Sequence, residues 1–183
     1  MAQIKKEYYS WNDIRRACVS ISMQMYADLW RPDYIVGITR GGSIPAVILS
    51  NQLDIPCEML KVSLRDNPDT ESNCWMAEDA FGYVDEADRE RLKSRWDIHK
   101  RKNILIVDDI NDTGATLEWI KQDWQSSCLP NEDSAWNTVW GHNVRFAVIT
   151  ENLSSNFDGV QYHAHEVNKA EEDVWLVYPW EKA

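Results

Sequence analysis

The segment at residues 104–116 constrains the fold more than any other part of the chain. Ile104–Val107 is an unbroken apolar run, typical of a strand buried on both faces of a parallel sheet. Asp108 and Asp109 follow directly, then a short polar loop, and then a helix predicted to end near Gln125. Strand, tight loop and helix in this order form half of a βαβ unit. The order therefore predicts an α/β fold with a central parallel sheet flanked by helices.

The first part of the chain shows the same order. A helix is predicted from Ser10, which can cap its first turn, to Leu29. Its apolar stripe consists of Ile14, Ala17, Cys18, Ile21, Met25 and Leu29. Next come a strand at 34–38, a glycine loop at 39–42, a helix at 43–53 and a strand at 57–62. Further strands are predicted at 144–150, 160–164 and 174–178.

The length of 183 residues suits one domain with a sizeable core, and we predict a single domain over 1–183. Two segments lack clear periodicity. Residues 63–102 contain a polar, turn-rich stretch at 66–78 and a short charged helix at about 85–96, and residues 126–143 look like an insertion. Long irregular segments in compact domains are often functional loops. Residues 63–102 are therefore predicted to include a mobile loop.

Charge and composition restrict the classes of protein to which the chain can belong. Thirty acidic residues against nineteen basic ones give a formal net charge of -11, which argues against a general nucleic-acid binder. No apolar run has the length of a membrane span, and the first residues lack a secretory pattern, so we expect a cytoplasmic protein. The cysteines have no metal-type spacing and are predicted to be free thiols. They are Cys18, Cys57, Cys74 and Cys128.

Asp108 and Asp109 stand at the carboxyl end of a strand, where ligands of open α/β sheets bind. The loop from Asp112 to Thr116 begins a helix, whose N–H groups and dipole favour a phosphate. Helix capping accounts for Asp112 alone, and two more carboxylates at one strand end are costly unless a cation or ligand uses them. Mg²⁺ prefers oxygen ligands, and both carboxylates and phosphates provide them. The segment therefore predicts a site for a phosphorylated ligand with Mg²⁺.

Residues 104–116 resemble the thirteen-residue motif that binds phosphoribosyl pyrophosphate in type I phosphoribosyltransferases. The resemblance implies that Asp108 and Asp109 hold the ribose hydroxyls, directly or through Mg²⁺, and that the next loop holds the 5′-phosphate. That loop consists of Asp112, Thr113, Gly114, Ala115 and Thr116, with alanine in place of the usual second glycine. Asp112 also matches a carboxylate near N7 of the base in related purine enzymes, which implies a catalytic general acid or base.

A second match, Thr39-Arg40-Gly41-Gly42, resembles the pyrophosphate loop of the same family. Glycines allow the backbone to approach an oxyanion closely, and Arg40 supplies a fixed charge with several donors. The resemblance also implies a non-proline cis peptide bond between Thr39 and Arg40.

The C-terminal run 173–181 resembles the end of the base-binding hood in bacterial xanthine-guanine phosphoribosyltransferases. The resemblance implies a hood over about 151–183 in which Trp175 stacks on the base and backbone groups of Leu176 face its Watson–Crick edge. Glu181 matches an acid near the purine 2-position or the metal, so Asp109 and Glu181 are the expected metal ligands. The alternative for Trp175 is a role in the core or an interface.

One position departs from the pattern of 6-oxopurine enzymes, in which a lysine after the last main strand donates to the purine O6. Matching residues 146–152 to that region puts Glu151, or Asn152, at the lysine position. A carboxylate donates only when it is protonated. Either Asn152 or Lys169 supplies the donor, or the base is not a standard 6-oxopurine.

Together these resemblances imply a Mg²⁺-dependent phosphoribosyltransferase. Its substrates would be phosphoribosyl pyrophosphate and guanine, xanthine or hypoxanthine, with release of pyrophosphate in nucleotide salvage. Two alternatives stay open: an enzyme of this family that acts on a pyrimidine or modified base, and a nucleotide-sensing regulator on the same fold. Family members commonly assemble, so a homodimer or homotetramer is expected.

Overall fold

The computed structural model describes residues 4–64, 69–70, 74–127 and 133–181. Its strands are β1 (Lys5–Tyr8), β2 (Tyr34–Thr39), β3 (Cys57–Ser63), β4 (Asp69–Thr70), β5 (Ile104–Asn111), β6 (Val144–Asn152), β7 (Val160–Val167) and β8 (Val174–Val177). Its helices are α1 (Trp11–Ala27), α2 (Ser43–Leu53), α3 (Cys74–Phe81), α4 (Glu86–Leu92), α5 (Ala115–Ser127) and α6 (Asp133–Trp136). None of these helices is both long and apolar enough to cross a membrane.

The main sheet has the strand order β4-β3-β2-β5-β6-β7 within the described residues. All neighbouring strands in it are parallel except the short β4, which runs antiparallel to β3. The predicted central parallel sheet is therefore confirmed. Because the carboxyl ends of parallel strands meet at one edge, the loops that follow β2 and β5 emerge side by side.

Helices cover both faces of this sheet. On one face α1 and α2 bury Ile14, Ile21 and Leu49. On the other face α3 and α5 bury Phe81 and Trp124. Each side chain of this size contributes roughly 1.5–3 kcal/mol when it leaves water. The two apolar clusters explain why the sheet is nearly continuous in apolar residues at its centre.

Helix α1 begins as predicted and ends earlier than predicted. The hydroxyl of Ser10 accepts a hydrogen bond from the backbone N–H of Asp13 at 3.2 Å, and the carboxylate of Asp13 accepts one from the N–H of Ser10 at 2.8 Å. Such caps contribute about 1 kcal/mol. The predicted end at Leu29 is wrong, because the helix stops at Ala27 and Leu29 is 91% exposed beyond its cap.

The prediction of irregular structure across 63–102 is wrong in part. Helix α3 lies in this segment and buries apolar side chains, including Met76 and Phe81, in the core. The short charged helix predicted at about 85–96 is confirmed as α4, but it ends at Leu92, earlier than predicted. Residues 65–68 and 71–73 lie outside the described residues, so the mobile loop stays a prediction.

The segment 126–143 contributes to the core. Trp136, in α6, is fully buried and stacks on Trp140 with 5.3 Å between ring centroids. Residues 128–132, and with them Cys128, lie outside the described residues. The three other cysteines are free thiols, as predicted: Cys18, Cys57 and Cys74.

A small second sheet pairs β1 with β8 in parallel. The prediction of a hood over about 151–183 is wrong in part. Strand β7, which falls in this range, lies in the main sheet beside β6 and buries Tyr162 there. The other strand of the small sheet comes from the opposite end of the chain. All four side chains of β1 are exposed, so no apolar pattern marks it in the sequence.

Candidate active site

A cleft of about 380 Å³ opens at the carboxyl edge of the main sheet. The end of β5 and the following loop line one side of it, and β8 with the residues after it lines another. Most predicted site residues line this cleft: Asp108, Asp109, Asp112, Thr113, Gly114, Ala115, Thr116, Trp175, Leu176 and Glu181. The sequence matches at 104–116 and 173–181 therefore meet in space.

The acidic pair belongs to β5 itself. The strand was predicted to end at Val107 but stays paired with β6 as far as Asn111. One carboxylate oxygen of Asp108 accepts the N–H of Asp109 at 2.9 Å, and one of Asp109 accepts the N–H of Ile110 at 2.8 Å. Burial raises the pKa of the Asp109 carboxyl, and the nearby Glu181 carboxylate adds to the rise. A cation bound here would relieve both effects.

The loop between β5 and α5 has the form of a phosphate site. Gly114 has a φ of +88°, and a Cβ on it would lie 2.6 Å from the Cβ of Phe157, so only glycine fits. Thr113 and Thr116 line the cleft on either side of the helix start at Ala115. The N-terminal N–H groups of a helix and two hydroxyls can together hold a phosphate.

The loop after β2 lies directly against the acidic strand. Its Thr39–Arg40 peptide bond is cis, as the resemblance implies. A Cβ on Gly41 would stand 1.9 Å from a carboxylate oxygen of Asp109, and one on Gly42 would stand 2.2 Å from the carbonyl oxygen of Val107. Arg40 is exposed. These four residues are not among the described residues that line the cleft; they lie beside it, with Gly41 against the carboxylate of Asp109.

Trp175 is a half-exposed residue that lines the cleft. It is 53% exposed, whereas Leu176 beside it in β8 is 6% exposed. Both line the cleft. The alternative of a core position for Trp175 is therefore wrong, and its indole can meet a planar ligand.

Tyr178 anchors the C-terminal segment to the acidic strand, a role that the sequence did not reveal. Its buried hydroxyl donates to the carbonyl oxygen of Asp109 at 3.2 Å. Its ring stacks between Tyr9, at 5.3 Å, and Trp180, at 5.1 Å. Burial raises the pKa of this phenol, which keeps the hydroxyl protonated as a donor. The only sequence signal was the density of aromatic residues near the C-terminus.

Lys169 is the one lysine or arginine among the described residues that line the cleft. Its Nζ lies 3.0 Å from Oδ1 of Asp112. Asn152 is 4% exposed and donates from Nδ2 to the backbone carbonyl of Asp112 at 2.9 Å. Glu151 accepts a hydrogen bond from Asn111 at 2.8 Å and is not among the described lining residues. Neither residue at the aligned lysine position therefore presents a donor to the cleft.

The oxygen donors of the cleft fit Mg²⁺ held together with a phosphorylated ligand. Asp109 and Glu181 both line it, and their carboxylates interact. One oxygen of Glu181 accepts the N–H of Tyr178 at 3.1 Å. Across the described part of the chain, no three His, Cys, Asp or Glu side chains form a complete metal site. Mg²⁺ commonly uses one or two carboxylates and completes its shell with phosphate oxygens and water.

Comparisons with known proteins agree with this geometry. The family model described as phosphoribosyl transferase domain matches residues 5–124. Xanthine phosphoribosyltransferase 1 of Saccharomyces cerevisiae is 25% identical, over 99% of this chain and 92% of the yeast protein. A xanthine-guanine phosphoribosyltransferase of Cereibacter sphaeroides is 27% identical, over 96% of this chain and 87% of its own.

A solved structure shares the fold. The purine phosphoribosyltransferase of Pyrococcus horikoshii superposes with a TM-score of 0.63 and 23% identity, over 98% of this chain and 96% of its own. The domain match spans both the glycine loop at 39–42 and the acidic motif at 104–116. The chain therefore belongs to the phosphoribosyl transferase family and is a phosphoribosyltransferase of the type I fold, close in pattern to the xanthine-guanine enzymes.

Proposed function

We propose that this chain transfers the 5-phosphoribosyl group of phosphoribosyl pyrophosphate to guanine, xanthine or hypoxanthine, with Mg²⁺, in nucleotide salvage. One observation carries the proposal: a single cleft joins the acidic pair of β5, the loop at the start of α5 and the half-exposed Trp175. The names of the yeast and Cereibacter relatives support a purine acceptor.

In this proposal, substrate binding divides along the cleft. Asp108 and Asp109 hold the ribose hydroxyls, and the loop at 112–116 holds the 5′-phosphate. Arg40 and the backbone of Gly41 bind the pyrophosphate. The contact between Gly41 and Asp109 supports this order, because the pyrophosphate must lie next to the ribose carbon that bears it.

The base lies against Trp175, with backbone groups of Leu176 at its Watson–Crick edge. Asp109 and Glu181 would hold Mg²⁺, which when bound would supply positive charge against the charge that develops on the departing pyrophosphate. Stacking on an aromatic face contributes about 1–3 kcal/mol for a nucleobase. The half-exposed indole supports this assignment.

The reaction is a displacement at the anomeric carbon. The bond from N9 of the base to this carbon forms, and the carbon–oxygen bond to pyrophosphate breaks with its electron pair leaving on the pyrophosphate. The ribose passes through oxocarbenium character, as in glycoside transfer. Asp112 accepts the proton that N7 of the base loses, which its position on the cleft supports.

We also propose a homodimer or homotetramer in the cytoplasm. Exposed apolar side chains on α1 and α2, including Trp11, Met23, Tyr26 and Val47, support self-association. The free thiols support a reducing compartment. Sedimentation velocity at micromolar concentration should show an oligomer; a monomer would contradict this part.

The acceptor is tested by incubating the purified chain with phosphoribosyl pyrophosphate, Mg²⁺ and one base at a time: guanine, xanthine, hypoxanthine, adenine, uracil or orotate. Chromatography should detect a nucleoside monophosphate with at least one 6-oxopurine and none after chelation of Mg²⁺. Product from uracil or orotate alone would contradict the purine acceptor. No product with any base would favour a nucleotide-sensing regulator.

A further inference from the structure

We infer that Lys169, on the loop between β7 and β8, is the residue that recognises the exocyclic oxygen of the base and so selects oxopurines. The inference rests on the proposed function. It assigns specificity to a residue outside the strand end at 151–152, where sequence matching places the donor.

The position of Lys169 supports this role. It lines the same cleft as Trp175, on which the base is proposed to stack. Its side chain is only 22% exposed, so the ammonium is held in the cleft rather than extended into water. Lysines on protein surfaces are usually far more exposed. The ion pair with Asp112, at 3.0 Å, fixes the direction of the side chain.

Asn152 holds in place the loop at residues 168–173, the lysine loop. Its Oδ1 accepts the backbone N–H of Lys169 at 3.1 Å and the hydroxyl of Ser154 at 2.8 Å. Its Nδ2 donates to the carbonyl oxygen of Asp112 at 2.9 Å and points to the Asp112 carboxylate at 3.5 Å. A buried amide bonded on both sides fixes two loops relative to each other.

The same bonds exclude the other two candidates. Both N–H groups of Asn152 face Asp112, which leaves none for a base. Glu151 is turned toward Asn111, and a carboxylate has no proton to donate when ionised. Of the three candidates, Lys169 alone presents a donor to the cleft, and it is the one lysine or arginine among the described lining residues.

The chemistry of an ammonium gives the selectivity. It has three donors and no acceptor, and one donor is directed to Asp112. The others can meet a carbonyl oxygen at the purine 6-position but gain nothing from an amino group there. Lys169 thus favours guanine, xanthine and hypoxanthine over adenine.

The test compares two nucleotides that differ only in this oxygen, inosine 5′-monophosphate and purine riboside 5′-monophosphate. Calorimetry gives Kd for each with the wild type and with Lys169→Met, which keeps the chain length and removes the donors. The wild type should bind the oxo nucleotide about 10- to 100-fold more tightly, the range for a hydrogen bond to a charged group. In Lys169→Met the ratio of the two Kd values should approach one.

The ratio of the two Kd values separates recognition of the oxygen from a disturbance of Asp112, because such a disturbance weakens the binding of both nucleotides equally. Lys102→Met is the matched control: Lys102 pairs with Asp79 at 3.1 Å, outside the described lining of the cleft, and should keep the wild-type ratio.

The outcomes distinguish the two proposals. Equal ratios in wild type and Lys169→Met, with wild-type turnover intact, would overturn the role of Lys169 and leave the proposed function standing. A wild type that makes no nucleotide and binds neither nucleotide would overturn both.

Discussion

The two halves of the cleft are built in different ways. The proposed phosphate half consists of β5 and the loop at 112–116, with the glycine loop at 39–42 beside it, and each part is a short continuous piece of backbone. The proposed base half consists of β8 and the lysine loop, and β8 is held by its pairing with β1, in which Lys5 lies opposite Val174. Local backbone geometry therefore shapes the first half, and contacts between residues far apart in the chain assemble the second. Substitutions in the first half should therefore impair the binding of phosphoribosyl pyrophosphate, and substitutions in the second half should impair the binding of the base.

Gly41→Ala tests the phosphate half and should have the largest effect among the single substitutions. The new Cβ would stand 1.9 Å from a carboxylate oxygen of Asp109, so the loop or the carboxylate must move. A displacement of about 1 Å at a reacting centre costs about 100-fold in rate. We expect kcat/KM for phosphoribosyl pyrophosphate to fall by at least that factor in steady-state kinetics. Wild-type kinetics would show that the two loops are not in contact.

Trp175→Ala tests the base half. Loss of stacking should raise the KM for the base by about 10- to 100-fold and leave the Kd for phosphoribosyl pyrophosphate within about twofold. Trp175→Phe should restore most of the affinity. Trp75→Ala removes another half-exposed tryptophan, outside the described cleft lining, and serves as the control. An equal loss of affinity for both substrates in Trp175→Ala would contradict the division of the cleft into two halves.

Tyr178→Phe tests the joint between the halves. The substitution keeps the ring stack and removes the hydroxyl that bonds to Asp109 and, at 3.0 Å, to buried Thr150. We expect the free energy of unfolding to fall by about 1–2 kcal/mol in urea denaturation. The KM for the base should rise several-fold, because β8 loses its tie to the acidic strand. An effect on stability with no effect on base binding would reduce Tyr178 to a packing residue.

Glu151→Gln should have the smallest effect, and it depends on pH. Burial raises the pKa of this carboxyl, the bond from Asn111 and nearby His163 oppose the rise, and Glu166 adds to it. A raised folded-state pKa means that ionisation costs stability as pH rises from the ordinary value of 4.5 through the folded value. The glutamine should therefore stabilise the protein at pH 7.5, by less than about 1 kcal/mol because the group is partly solvated, and not at pH 4. Urea denaturation at both pH values checks this prediction. The same difference in the free energy of unfolding between the variant and the wild type at pH 4 and pH 7.5 would contradict it.

The phosphate half could be predicted from the sequence because its signals are local. An apolar strand, two acids and a glycine loop at a helix start lie within residues 104–116, and backbone geometry brings them together. The capping box of Ser10 and Asp13 is equally local, three residues apart. Only the end of β5 was misplaced, because its pairing with β6 continues through the polar residues to Asn111.

The base half could be predicted only in part. Trp175 and Leu176 were identified from a resemblance, but β1 carries four exposed side chains and no periodic pattern. The bond that orders the lysine loop joins Asn152 to Lys169 across an intervening strand. Alignment pointed to Glu151, and only its hydrogen bond to Asn111 shows that it is turned away. Contacts of this kind follow from the folded chain and leave no signature in spacing.

The most direct test of the account is pyrophosphate release from phosphoribosyl pyrophosphate with hypoxanthine and Mg²⁺, in the wild type and in the double variant Asp108→Asn, Asp109→Asn. The variant should fold, because burial already disfavours the charge of Asp109. The matched control replaces exposed Glu86 and Glu90 on α4 with glutamine and should keep full activity. We predict that the wild type releases one pyrophosphate for each nucleotide formed and that the double variant is slower by about 1,000-fold or more. Equal rates in the wild type and the double variant would contradict the assignment of this cleft as the site of phosphoribosyl transfer.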